Sequence, residues 1–559
     1  MEEFRNMSSL NTLDWLMIAA YFALLAGVVW YTMRKQETSA DYFLAGRNIG
    51  WFVIGASLFA SNIGSEHLVG LAGSGAKSGV AMAHYELHAW CLLVLGWVLV
   101  PFYYRAGVYT MPEFLERRYN AASRWILSLV SLVAYVFTKV SVTVYAGGLV
   151  FQTLLPELNF AGLNSFWLGA LCVVLVTGLY TVFGGLRAVV YTDAAQTVVL
   201  ILGSLCITGI GLYQLGGWGE LREISGSARF NLWRPLSDPE FPWAGMLFAA
   251  PIVGLWYWCT DQYIVQRTLA ARNLKIARRG TLFGAYLKIT PVFLFIIPGM
   301  IAYALVQKNM LQMDSPDQAF PAMVSQLLPS GLRGLVVAGL LAALMSSLSS
   351  LFNSCSTLFT VDIYKKIKPA ASEREMVAVG RAATFVVVGL GLLWIPAMQR
   401  VSGALYEYLQ SVQAYLAPPM TAVFFLGVFW KRVNGTGAVV TLLSGFVLGL
   451  LKLGCQVYAG QYSLEQAAIL PALQQMFIAY GNINFLIFCV VLFAYCCFTL
   501  ILFSLLTPPP EAARIENLCY ATNTAAGRRE VRESWNRWDV IHTVIVLLII
   551  VSVYLYFTG

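Results

Sequence analysis

Apolar stretches separated by short polar turns follow one another along almost the whole chain. Each is about 20 residues long, the length an α-helix needs to cross roughly 30 Å of hydrocarbon. The pattern predicts fourteen helices, at 11–33, 50–75, 81–104, 123–153, 160–183, 190–213, 244–265, 280–306, 330–363, 376–397, 402–429, 435–456, 481–506 and 538–557. The first is expected to stay: the run from Thr12 to Met33 follows an acidic MEEF opening, exceeds a signal-peptide core and precedes no small-residue cleavage pattern. The expected fold is therefore an all-α polytopic membrane protein, one transmembrane domain over 1–559 with an extra N-terminal helix at 11–33 and C-terminal helices at 435–557.

Two runs are interrupted by polar residues, Gly or Pro: SNIGSEH at 61–67, and PIVGLWYWCTDQ at 251–262 with Pro251, Gly254 and Asp261. Helices two to six (50–213) and seven to eleven (244–429) form two sets of five that enter from opposite sides, and each set opens with one of these breaks. That is the arithmetic of an inverted repeat. Backbone carbonyls freed at membrane depth are tolerated only where they line a cavity, so both breaks point to a buried site near the midplane.

Composition agrees, with 58% hydrophobic and 11% charged residues and a mean hydropathy of +0.69. A net charge of +8 would suggest an acidic partner, were it not for where the cations fall. With the N-terminus outside, 25 of the 36 Lys and Arg lie on the cytoplasmic side, nine lie opposite, and Lys139 and Lys288 lie within helices. The positive-inside rule therefore places both termini outside. The ten cysteines sit mostly inside apolar runs and imply neither a disulfide framework nor a metal site. Nothing suggests nucleic acid or an organic cofactor; the bilayer is the partner that composition implies.

Ionisable groups inside membrane helices are expensive and mark function, which makes Glu86, Lys139, Asp193, Asp261 and Lys288 the short list. Glu86 and Lys288 lie deepest. They are either a structural ion pair between packed helices or a charge-cancelled site for a neutral ligand whose hydroxyls accept from an ammonium and donate to a carboxylate. Asn62, His67 and Gln410 would add hydrogen bonding, and Tyr257 and Trp258 flat faces for the C–H side of a ring, although each alone also suits interhelical packing. The run HYELH places His84 and His88 one turn apart. On a regular helix Glu86 lies about 160° from either, so both histidines are expected to face away from it and to hold no metal. In LLAALMSSLSSLFNS, the four serines Ser346, Ser347, Ser349 and Ser350 together exceed what local back-bonding needs. The hydroxyls of Ser346 and Ser347, with carbonyls freed at Ala60 to Ile63, would suit a hard monovalent cation.

At these residues the sequence resembles the sodium/solute symporter family, and within it the sodium/glucose cotransporter branch. The resemblance is carried by DYFLAGR (41–47), GASLFASNIGSEHLVGLAGSG (55–75), YTVFGGLRAVVYTDAAQ (180–196), LWYWCTDQYIVQRTLAARN (255–273), MSSLSSLFNSCSTLFTVDIYKK (345–366) and FWKRVNGTGA (429–438), and runs from about residue 12 to about 510. It implies a leucine-transporter-like fold and alternating access about a midplane sugar, with sodium (Na+) as the coupling ion. By position, it implies a sugar site of Asn62, His67, Glu86, Lys288 and Gln410, with Tyr257 as inner gate and Trp258 beside it. It implies a sodium site of the Ala60, Ile63 and Ala343 carbonyls with the Ser346 and Ser347 hydroxyls, and Asp193 on the sodium exit path. Ser349 keeps a hydroxyl where two-sodium members of the family have Thr, so one or two sodium ions per cycle both stay open.

The sequence departs from the family at Gly254, where relatives have Thr or Asn, at Gln413 for Thr, and at Leu87 for Trp. These changes alter the pocket edges, so glucose, galactose, mannose or inositol remain open. Animal members carry a cysteine-rich loop where 307–329 here has no Cys, which implies a bacterial inner membrane. The expected function is sodium-coupled import of a neutral sugar or polyol. Against it stand a sodium symporter for an amino acid, carboxylate or nucleoside, a sugar sensor, and a sodium-leak channel; an enzyme would need a nucleophile–base pair or a metal that the sequence does not offer.

Overall fold

A computed structural model describes residues 10–32, 38–64, 66–156, 158–160, 162–398, 405–462 and 470–559. The first nine residues, Arg34 and Lys35, Ser65 of the first break, Arg400 and the opening of the helix expected at 402–429 lie outside them. The main helices are α1 (Thr12–Thr32), α2 (Trp51–Asn62), α3 (His67–Ala106), α4 (Ala121–Gln152), α5 (Ser165–Leu215), α6 (Trp243–Cys259), α7 (Gln262–Leu269), α8 (Leu274–Gln307), α9 (Leu332–Ile367), α10 (Glu373–Met398), α11 (Leu405–Phe429), α12 (Gly435–Ala459), α13 (Phe485–Leu506) and α14 (Arg537–Tyr556).

Among the described residues eleven helices are long and apolar enough to cross a bilayer, and α6 with α7, bent by 44°, makes a twelfth span. Two elements hold more than one crossing. At 1.5 Å per residue the 51 residues of α5 would extend about 76 Å, far more than one bilayer. The chain instead reverses at Gly185 (φ +55, ψ −162). Tyr180 on one leg donates to the Met345 carbonyl and Asp193 on the other accepts from the adjacent Ser346, which a straight helix cannot do. In α3, the break at Gly79 (φ +75) separates the second half of the first broken helix from the next crossing. With α2 counted as the first half of that broken helix, these reversals bring the crossings to the fourteen read from the sequence.

Asparagines open many of these helices. Asn120, Asn164, Asn273, Asn434, Asn484 and Asn536 cap α4, α5, α8, α12, α13 and α14, each side-chain oxygen accepting from otherwise orphaned N–H groups of the first turn. The connecting loops pack at two opposite ends of the bundle. On one face Arg118 donates to the carbonyls of Gly427, Trp430 and Val433, Arg514 to that of Tyr119, and Arg279 pairs with Asp539 at 3.0 Å. On the other, Asp14 pairs with Arg333 at 3.0 Å and Lys77 with Glu240 at 2.9 Å.

α9 runs through the middle, with 94% of its apolar window buried against 22% for α1 and α14, which lie at the periphery. Close helix approach depends on small residues. A Cβ on Gly55 of α2 would stand 2.8 Å from the Gly280 carbonyl of α8, and one on Gly280 only 2.6 Å from Ile54. This contact brings α8 alongside the end of α2 and so places Lys288 beside Asn62.

Candidate functional site

Both expected breaks are present. α2 stops at Asn62, Ile63 is extended (φ −79, ψ 99), and helical structure resumes at Glu66. α6 stops at Cys259, and Asp261, also extended (φ −76, ψ 127), caps α7. Between these breaks, α8 and α11 lies a cavity whose lining includes all eight residues singled out from the sequence: Asn62, His67, Glu86, Tyr257, Trp258, Lys288, Gln410 and Gln413.

Glu86 and Lys288 are paired, both nearly inaccessible. The Lys288 ammonium donates to Glu86 Oε2 at 2.6 Å and to Asn62 Oδ1 at 3.0 Å. His67 Nε2 lies 3.4 Å from Glu86 Oε1, and the Asn62 amide donates across to the Tyr257 hydroxyl at 3.3 Å. The buried Gln410 Oε1 and Tyr85 hydroxyl have no hydrogen-bond partner among the described residues, so the cavity wall presents polar groups left over for a ligand. The free space within it is about 40 Å³, small against the roughly 300–1,000 Å³ of sites that hold small molecules.

Tyr257 has a second neighbour. The Lys139 ammonium stands 4.5 Å from its ring and 4.5 Å from that of Tyr263, and pairs with Asp261 Oδ2 at 2.9 Å; the Tyr135 hydroxyl donates to Asp261 Oδ1. The sequence marked Lys139 and Asp261 without joining them. Together they clasp α4 to the second break directly behind the tyrosine, with cation–π contacts adding to the ion pair. Lys139→Ala should destabilise the solubilised protein by about 3 kcal/mol or more, because it leaves Asp261 buried and unpaired; Lys139→Ala with Asp261→Ala should recover part of the loss. Thermal unfolding of the single and double variants is the check.

The serines of α9 divide their roles. The Ser347 hydroxyl lies 3.3 Å from the carbonyls of both Ser61 and Ile63, at the point where α2 stops. Ser346 turns the other way and donates to Asp193 Oδ1 at 2.6 Å. Ala60, next to Ser61, and Ala343, one turn before Ser346, are buried in the same two helices. Ser349 back-bonds to the Ser346 carbonyl at 2.9 Å. Asp193 is fully buried, not at an open helix end, and its Oδ2 accepts from Ser57 at 2.5 Å and Ser61 at 3.2 Å, with Arg267 at 3.5 Å. Arg267 in turn donates to Ser57 at 2.8 Å and to Ser350. Sequence reading missed Ser57, Ser61 and Arg267 here; the polar spacing of Ser57 and Ser61 one turn apart on an apolar helix was the available signal.

The two histidines separate. His84 faces away from the cavity as expected, bonded to the Leu232 carbonyl at 3.0 Å and the Tyr554 hydroxyl at 3.2 Å. His88 does not: it lines the cavity with Glu86. The expectation assumed a regular helix, whereas the chain turns at Leu87 (ψ −1) and His88 (ψ 15), which rotates the second histidine back inward.

An all-helical bundle whose two broken helices bracket a buried polar cavity, beside hydroxyls and freed carbonyls, defines a membrane transporter of the leucine-transporter-like class. The sodium:solute symporter family model matches residues 42–445, and the chain belongs to that family. It is 37% identical to Sodium/glucose cotransporter 1 of Oryctolagus cuniculus, over 94% of this chain and 84% of that protein. It is 39% identical to Sodium/myo-inositol cotransporter 2 of the same species, over 92% and 80%, and 36% identical to Sodium/glucose cotransporter 4 of Danio rerio, over 96% and 85%. Among solved structures, a Na+-coupled sialic acid symporter in a substrate-bound outward-open state matches with a TM-score of 0.75 at 23% identity, over 90% of this chain and 99% of that one, and shares the fold. The protein is thus an integral membrane symporter that couples sodium to a small solute.

Proposed function

We propose that the solute is a neutral sugar or polyol, a hexose such as glucose or galactose or a cyclitol such as inositol, imported by alternating access. The observation that carries this is the Glu86–Lys288 pair on the cavity wall. Its charges cancel, so an anionic or cationic solute gains nothing from it, while hydroxyls can both donate to the carboxylate and accept from the ammonium. The unpartnered Gln410 and Tyr85 oxygens and the Tyr257 and Trp258 rings fit the same ligand, and glucose and myo-inositol cotransporters among the relatives support it. Sodium is held by the Ser347 and Ser346 hydroxyls with the carbonyls of Ala60, Ile63 and Ala343, and leaves past Asp193; Ser349 serves a second ion where two are used.

In this reading 50–213 and 244–429 are the two repeats that rock against each other, and Tyr257 is the inner gate. The face rich in Arg and Lys is cytoplasmic and both termini are outside. The Cys-free stretch 307–329 favours a bacterial inner membrane. The test is uptake of labelled glucose, galactose, mannose and myo-inositol into proteoliposomes, with an inward sodium gradient or equal potassium. Sodium-driven accumulation of at least one is expected. Accumulation of a charged solute in place of all four would overturn the reading.

A further inference from the structure

His88 is built into the cavity by two local features. The turn at Leu87–His88 interrupts the helix, and the new helix begins only as the Cys91 amide bonds the His88 carbonyl at 2.8 Å. Across from it, α6 carries Gly254. A Cβ on Gly254 would stand 2.7 Å from His88 Nδ1 and 3.1 Å from Cγ, so the imidazole fills the volume that any side chain at 254 would need.

The ring is held edge-on by Tyr85, with centroids 5.8 Å apart, and Trp90, 6.2 Å apart, and the residue is only 2% exposed. No hydrogen bond joins its side chain to another described residue, in contrast to His84, whose two nitrogens both find partners. A buried imidazole costs stability unless its nitrogens are satisfied, and this ring lines the cavity it shares with Glu86, Lys288 and Gln410.

We propose that His88 is a substrate-contacting residue, its imidazole hydrogen-bonding a hydroxyl of the bound solute from the α3 wall, with Gly254 of the facing α6 as the residue that admits it. The inference rests on reading the cavity as a polyol site. It makes positions 88 and 254 a coupled pair that sets which solute hydroxyl is read on this wall.

The full chain in proteoliposomes, with labelled D-glucose and myo-inositol as probes at saturating sodium, tests it. His88→Phe keeps a ring and removes the hydrogen bond, and should raise KM about tenfold, equivalent to about 1.4 kcal/mol, with the sodium half-saturation within twofold of wild type. His88→Gln should recover most of that loss, and His84→Phe should leave KM unmoved. Gly254→Thr should also raise KM by displacing the ring, and adding His88→Ala should cost less in that background than in wild type. A His88→Phe KM within twofold of wild type would make the histidine a packing residue and overturn the proposal. Should that variant fail to insert, an unchanged KM in Gly254→Thr overturns it equally. If wild type takes up neither probe while sodium still drives another solute, the polyol reading fails first and this inference with it.

Discussion

Glu86→Ala and Lys288→Ala should each abolish sodium-driven sugar uptake. Lys288 donates to Glu86 at 2.6 Å and to Asn62 at 3.0 Å, and both charged side chains are almost wholly removed from solvent. Deleting either partner strands the other charge in a low-dielectric site, at a cost of about 3 to 5 kcal/mol. That corresponds to about two to three and a half decades in an equilibrium constant. Part of this loss would appear as misfolding, so the single variants alone cannot separate structure from binding. The double variant can. Removing both charges leaves no stranded ion, and replacement of a buried pair is often neutral or stabilising. The double variant should therefore reach the membrane and unfold near the wild-type temperature, yet bind no sugar, because the donor and the acceptor facing the cavity are both gone. A well-folded double variant that still accumulates sugar would reduce the pair to a structural strut.

The sequence made the architecture legible because membrane insertion imposes a long apolar period that survives local irregularity. The two breaks were legible for the same reason: Gly64 with its polar neighbours, and Pro251 with Asp261, stand out against hydrocarbon. Charged groups in such a background have few places to go, which is why Glu86 and Lys288 could be read together from the sequence, and in the structure they face each other at 2.6 Å. What failed was extrapolation along a helix that does not stay regular. His88 was sent outward by a rotation of about 100° per residue, and a two-residue turn at 87–88 brought it back. The Lys139–Asp261 clasp and the Asp193–Arg267 contact escaped for another reason. Their members lie 122 and 74 residues apart on separate helices, and no local pattern encodes a pairing set by helix packing.

Ser346→Ala with Ser347→Ala should abolish sodium-driven accumulation while leaving passive exchange. The Ser347 hydroxyl sits at 3.3 Å from the Ser61 and Ile63 carbonyls, where α2 has no further helical N–H to offer them, and Ser346 touches Asp193 at 2.6 Å. In the proposed site a sodium ion would replace its hydration shell with these oxygens, and the nearby Asp193 carboxylate would lower the cost of bringing a positive charge into the membrane. Methyl groups can do neither. One charge crossing about 150 mV gains roughly 3.5 kcal/mol, so losing sodium removes about two and a half decades of concentrating power before the chemical gradient is counted. The variant should stay folded: alanine is the better helix former, and Asp193 keeps Ser57, Ser61 and Arg267 as partners. The measurement compares labelled-sugar accumulation in proteoliposomes under an inward sodium gradient at negative potential with that under equal potassium. A double variant that still concentrates sugar in a sodium-dependent way would move the cation site elsewhere, with the Ser57–Ser61–Asp193 cluster as the next place to mutate.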